Sequence, residues 1–82
     1  MAAARVRLPD DLEQLLTSEM LRCIEEANLG QMDTQVAKRY LIDQWAQIDI
    51  AAELGCVKST VCMRIPRVLE KVRLAAQKLN MI

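Results

Sequence analysis

The strongest constraint on this chain is a seam of aliphatic residues in its last third. Val61, Ile65, Val68, Val72, Ala75 and Leu79 recur at intervals of four, three, four, three and four. That spacing lines one side of an α-helix, whereas a strand would need a period of two. The seam therefore predicts helix for about five turns, with a heptad-like face to be covered by something else. Pro66 interrupts the pattern, because it lacks an amide and crowds the carbonyl of Cys62. It lies opposite the seam on a helical wheel. The prediction is either one helix bent around the core or two helices split near Ile65.

The remaining segments read the same way. Pro9, Asp10 and Asp11 suit a helix start by geometry and by the helix dipole. Leu12, Leu16, Met20, Ile24 and Ala27 follow at helical spacing up to Asn28–Gly30. Thr17 and Ser18 offer a second start that would divide this segment in two. Asp33 is placed to cap a helix carrying Val36, Ala37, Tyr40 and Leu41 on one stripe. Trp45–Gln47 is the expected connector, with Trp45 as a packing residue. A further helix runs from about Ile48 to Leu54, with Ile50, Ala51 and Leu54 facing inward. Apolar residues make up 52% of the 82, with one Trp, one Tyr and no Phe, so the core must be aliphatic. Two Gly and two Pro leave little material for turns. The fold expected is all-α, a single small domain of four to five helices over residues 1–82.

Several function classes are disfavoured. Cys23, Cys56 and Cys62 are an odd number without metal-ligand spacing, and the chain has no histidine. No metal or other cofactor is expected, and the cysteines read as reduced thiols. Without histidine or a phosphate-binding glycine loop, and with carboxylates on solvated helix faces, no catalytic residues are expected and the chain does not read as an enzyme. The opening MAAARVRL is too poor in apolar residues for a signal peptide, and no run approaches membrane-spanning length. A cytoplasmic location without membrane partners follows.

The net charge of zero conceals an asymmetry. Residues 1–55 carry five basic residues, Arg5, Arg7, Arg22, Lys38 and Arg39, against ten acidic ones. Residues 56–82 carry six, Lys58, Arg64, Arg67, Lys71, Arg73 and Lys78, against Glu70 alone. A partner within about 8 Å, one Debye length, feels this local balance rather than the total. Two solvated faces that differ by chance are the plainer alternative.

The stretch IAAELGCVKSTV, Ile50 to Val61, joins the two features. Gly55 can take the left-handed conformation that ends a helix, and Ala51 is small enough for a second helix to cross over it. Ile50, Leu54, Val61 and Ile65 would fill the angle between them. This is the pattern of a helix-turn-helix, over about residues 47–66, followed by a C-terminal helix at about 67–80. The corner would hold one basic helix at a fixed angle to enter a groove.

The segment from Ile50 to Arg73 resembles the helix-turn-helix of region 4 of the sigma-70 family and of LuxR-type regulators. The shared pattern is Ile50, Ala51, Leu54, Gly55, Ser59, Thr60, Val61, Arg64, Ile65, Leu69 and Lys71, and with the preceding helix it extends back to Asp33. A weaker similarity links residues 29–55 to small plasmid repressors of the KorA/TrfB type. Two departures stand out: Pro66 falls inside the presented helix, and a full sigma factor is excluded by length. The resemblance implies groove-facing positions at Val57, Lys58, Ser59, Cys62, Met63 and Pro66, with Thr60 in the same opening turn. Lys58 would meet a guanine edge or a phosphate, and Ser59 a phosphate at the helix N-terminus. Cys62 and Met63 would touch thymine methyls or pack against a partner subunit. Arg64, Arg67 and Lys71, on the flank, would hold phosphates. Arg73 and Lys78 read as solvated charges.

The function expected is sequence-specific binding of double-stranded DNA by a homodimeric repressor at a palindromic operator, in a phage, a plasmid or another small prokaryotic replicon. Nucleoid association follows from DNA binding. The apolar seam outlasts what three short helices can cover, so Leu69, Val72, Ala75, Ala76 and Leu79 are expected at a dimer interface. The N-terminal helix, with Leu12, Leu15 and Leu16, could cover the same seam within one chain. The rival readings are an accessory factor contacting RNA polymerase and a helical module that binds an acidic protein.

Overall fold

The computed structural model describes residues 10–82. The described residues form an all-α domain without strands: α1 Asp10–Glu13, α2 Thr17–Ala27, α3 Gln31–Ala37, α4 Gln47–Leu54 and α5 Lys58–Lys78. Pro9, expected to open the first helix, lies outside the described residues. At 1.5 Å per residue α5 is about 32 Å long. It runs most of the 34 Å length of the molecule, and α2, α3 and α4 all pack against it.

The N-terminal segment is divided, as Thr17 and Ser18 allowed. Leu16 precedes α2 in extended conformation, and its N–H donates to the Glu19 carboxylate at 2.9 Å. Leucine offers no acceptor in return, so only half of a reciprocal cap forms. Asn28, at φ 52°, ends α2, and Gly30, at φ 90°, precedes α3. Asp33 therefore does not cap this helix. It sits in the first turn, where a carboxylate is favoured by the helix dipole but its oxygens are free for another partner.

The last turn of α3 widens into a π-helical segment, Lys38–Ile42, in which the Asp43 N–H reaches the Lys38 carbonyl at 3.1 Å. Gln44, at φ 56°, then turns the chain. Half-buried Trp45 comes to lie beneath the Arg39 guanidinium, 4.7 Å from ring centroid to Cζ. Arg39 also pairs with Asp43 at 3.0 Å and with Glu53 of α4 at 3.9 Å. This cluster ties the end of α3 to α4.

The turn between α4 and α5 has a definite closure. Gly55 adopts φ 71°, the Cys56 N–H donates to the Ala51 carbonyl at 2.9 Å, and the Gly55 N–H donates to Ala52 at 3.3 Å. These are the two bonds of a Schellman ending, which needs a left-handed residue at Gly55. A Cβ at Gly55 would meet no other atom within 4 Å, so backbone strain alone opposes replacement. Gly55→Ala should cost about 1 to 2 kcal/mol in urea unfolding, with Gly55→Asn costing less.

Pro66 does not split the helix, which is continuous from Lys58 to Lys78. The ring faces solvent, where it displaces no packed side chain. The seam is consumed within the chain. Val61, Ile65, Val68, Val72 and Ala75 are buried, as is Ala76, while Leu69 and Leu79 pack half-buried against the same core. Of the residues expected at a dimer interface, Val72, Ala75 and Ala76 are thus covered by the chain itself, and Leu69 and Leu79 are covered in part. The covering residues include Met20, Cys23 and Ile24 of α2 and Val36, Ala37 and Leu41 from α3 and its extension. After α5 the chain turns at Asn80, φ 59°, and the Met81 N–H donates to the Ala76 carbonyl at 2.8 Å, a second Schellman closure. The Cys23 thiol then meets the Met81 sulfur at 3.4 Å.

Candidate nucleic-acid interface

The three-residue turn Gly55–Val57 sends α5 away from α4 with its opening turns outward. Val57 is extended and offers no side-chain cap, so the first amides of α5 are left without a side-chain acceptor. Val57 is 63% exposed, and Lys58 and Ser59 are exposed beside it. Cys62 is exposed, and Met63, at 79%, is the most exposed of the large apolar side chains described. At 100° per residue, Ser59, Met63 and Pro66 lie opposite the buried seam. Glu70 continues that line and is exposed, so the outward face changes sign after three turns.

Four of the six cations of α5, Arg64, Arg67, Lys71 and Lys78, fall to one side, and Lys58 and Arg73 to the other. Thr60, Arg64, Arg67, Lys71, Leu74 and Lys78 follow one another at intervals of four and three, a flanking stripe parallel to the seam. Its members are not equivalent. The Arg64 guanidinium donates through Nη1 to the Asp33 carboxylate of α3 at 2.8 Å. Lys78, expected as a solvated charge, pairs with Glu26 of α2 at 2.9 Å. Lys58, Arg67 and Lys71 have no ion-pair partner among the described residues. They are the unneutralised charges of the helix, whereas Arg64 is a braced one.

The structure thus brings Val57, Lys58, Ser59, Cys62, Met63, Arg67 and Lys71 to exposed positions on one helix, with Thr60 and Arg64 half-buried at its side. Asp33 is the residue that reading the sequence missed as a neighbour of this surface. Its separation from Arg64 by 31 positions carries no periodic signal. The stripe itself was detectable from its spacing. Among the described residues no group of three or more potential metal ligands occurs, and no helix is long and apolar enough to cross a membrane.

The three cysteines differ enough to report on this surface. Burial, reinforced by the Glu19 carboxylate, holds the Cys23 thiol above its ordinary pKa. Thiolate is the reactive form, so Cys23 should resist alkylation until the domain unfolds. Cys62, on the exposed side of α5, should react first, with half-buried Cys56 slower. Mass-resolved iodoacetamide labelling checks the order. Equal rates for Cys23 and Cys62 in the native protein would contradict this burial pattern.

No protein-family model, curated protein or solved structure matches the chain.

Proposed function

We propose that this protein is a double-stranded DNA-binding regulator that inserts the first turns of α5 into the major groove, α4 and α5 forming its helix-turn-helix. The observation that carries this reading is the corner itself. A Schellman-closed turn presents an uncapped helix start with exposed Lys58 and Ser59, and unpaired Arg67 and Lys71 follow on its flank. Flanking cations would fix the helix on the backbone, while Ser59, Cys62 and Met63 would meet base edges.

One such helix buries little surface, so a homodimer on two half-sites is the reading that gives specific affinity. With the seam of α5 used inside the chain, the dimer contact falls to other exposed apolar side chains, among which Leu16, Leu21 and Leu74 stand out. Repression at a palindromic operator follows from that arrangement.

Selection of bound sites from random duplexes tests the proposal. The expected result is a palindrome whose half-site centres lie about 34 to 36 Å apart along the helix axis. Six to eight phosphates neutralised per dimer should give a log K against log salt slope of about −5 to −7. No sequence enrichment, or a slope shallower than about −2, would defeat the reading.

A further inference from the structure

We propose that the shallow depression on the flank of α5, lined by Thr60, Met63, Arg64 and Arg67, seats one backbone phosphodiester of duplex DNA, with Asp33 as the positioning residue that holds Arg64 at its wall. The proposal rests on the DNA-binding reading and deepens it. The depression encloses about 350 Å³, enough for a phosphodiester with flanking sugar.

Its chemistry suits that ligand. Arg64 and Arg67 stand three residues apart on one helix, where like charges repel. The Asp33 carboxylate cancels one of them, leaving a single net positive charge beside the depression. A phosphodiester carries a single negative charge. The match is to this group rather than to a doubly charged terminal phosphate. Thr60, one turn before Arg64, adds a neutral hydroxyl donor, and Met63 supplies an apolar wall.

Asp33 gives the seat its geometry. Its side chain is 12% exposed and that of Arg64 41%, so the Asp33 end of the pair is covered while much of the arginine side chain remains open. A guanidinium has five N–H donors in a rigid fork, and the hydrogen bond to Asp33 occupies one. The remaining donors are held on a side chain that has already lost much of its rotamer freedom, so less is lost when an anion binds. Because α3 carries Asp33, the core of the domain fixes where this arginine stands. A phosphate held there sets how far α5 is rotated in its groove.

A brace between α3 and α5 that serves only stability would show the same ion pair. DNA affinity in a double-mutant cycle separates the two. Removing Asp33 also removes a negative charge near a polyanion, which by itself tightens binding, so the comparison is made with and without Arg64. Affinities of wild type, Asp33→Asn, Arg64→Ala and the double variant are measured on the selected operator duplex and on a random duplex. Asp33→Asn should weaken binding at least about threefold more when Arg64 is present than when it is alanine, on both duplexes. Single methylphosphonate replacements along the operator should then reveal one position per half-site that matters to the wild type. That position should be silent in Arg64→Ala and attenuated in Asp33→Asn.

Equal effects of Asp33→Asn in the two backgrounds would reduce the pair to a structural brace and overturn the proposal. Tighter binding by Asp33→Asn only when Arg64 is present would overturn it differently, by showing that Asp33 masks the arginine. Thermal unfolding of each variant excludes loss of fold as the cause. If the wild type shows no salt-dependent duplex binding, the DNA-binding reading itself has failed. If binding persists and Arg67→Ala weakens it while the cycle shows no coupling, only the seat has failed.

Discussion

Val72→Glu should unfold the domain. Val72 is fully buried on α5, where that helix is covered by the rest of the chain. Glutamate there must bury a carboxylate without a partner or open the core to water, at a cost of about 4 kcal/mol or more. A domain of this size holds only about 5 to 15 kcal/mol in total, and at its length the lower figure is the relevant one. Met63→Glu, on the same helix at a side chain 79% exposed, should shift stability by no more than about 0.5 kcal/mol. Urea unfolding followed by circular dichroism compares the two. A well-folded monomeric Val72→Glu protein would mean that the seam faces a second chain after all.

The second large effect is electrostatic. Replacing Arg67 and Lys71 together by alanine removes two of the three unpaired cations of α5. In the dimer proposed above, on DNA, that would be four phosphate contacts. The salt slope should become shallower by about 3.6, and binding at low salt should fall about a hundredfold, or about 3 kcal/mol. Operator and random DNA should lose affinity together, because phosphate contacts carry no sequence. Met63→Ala should behave in the opposite manner. It costs about 1 to 3 kcal/mol on the operator and little on random DNA. Fluorescence anisotropy titrations of both duplexes across salt concentrations decide the matter. Loss of base preference in the double variant, with Met63→Ala neutral, would place the helix at a different rotation.

The helices were legible because helical periodicity is a property of neighbouring residues. Val61 to Leu79 specified a helix face, and Gly55 specified its corner, before any tertiary information was needed. The occupant of that face was not legible. A period of three and four says that a surface is covered, without saying whether α2 of the same chain or another molecule covers it. Asp33 shows the same limit from a different side. Its capping preference was real, but Gly30, with no Cβ to oppose φ 90°, starts the helix earlier and frees the carboxylate for Arg64. Pro66 left the choice open because its cost depends on surroundings. Facing solvent, it costs α5 an amide and no packing, and the helix continues. The π-helical widening at Lys38–Ile42 had no local signature. Of the candidate interface, the exposed members could be placed from the wheel alone, whereas the difference between braced Arg64 and unpaired Arg67 could not.

The cluster at the end of α3 has a spectroscopic consequence. Trp45 is the only indole in the chain, and its ring lies under Arg39, which also reaches Glu53 of α4. Its emission is therefore a gauge of one joint, the mounting of α4 on α3, and is insensitive to distant parts of the molecule. That joint is held partly by exposed charges, which added electrolyte screens, whereas the aliphatic core is not screened. A spectral change in salt at constant helical ellipticity would register movement of the mounting alone. Because α4 leads directly into the turn that aims α5, the native fluorophore can follow the aim of that helix without an attached dye.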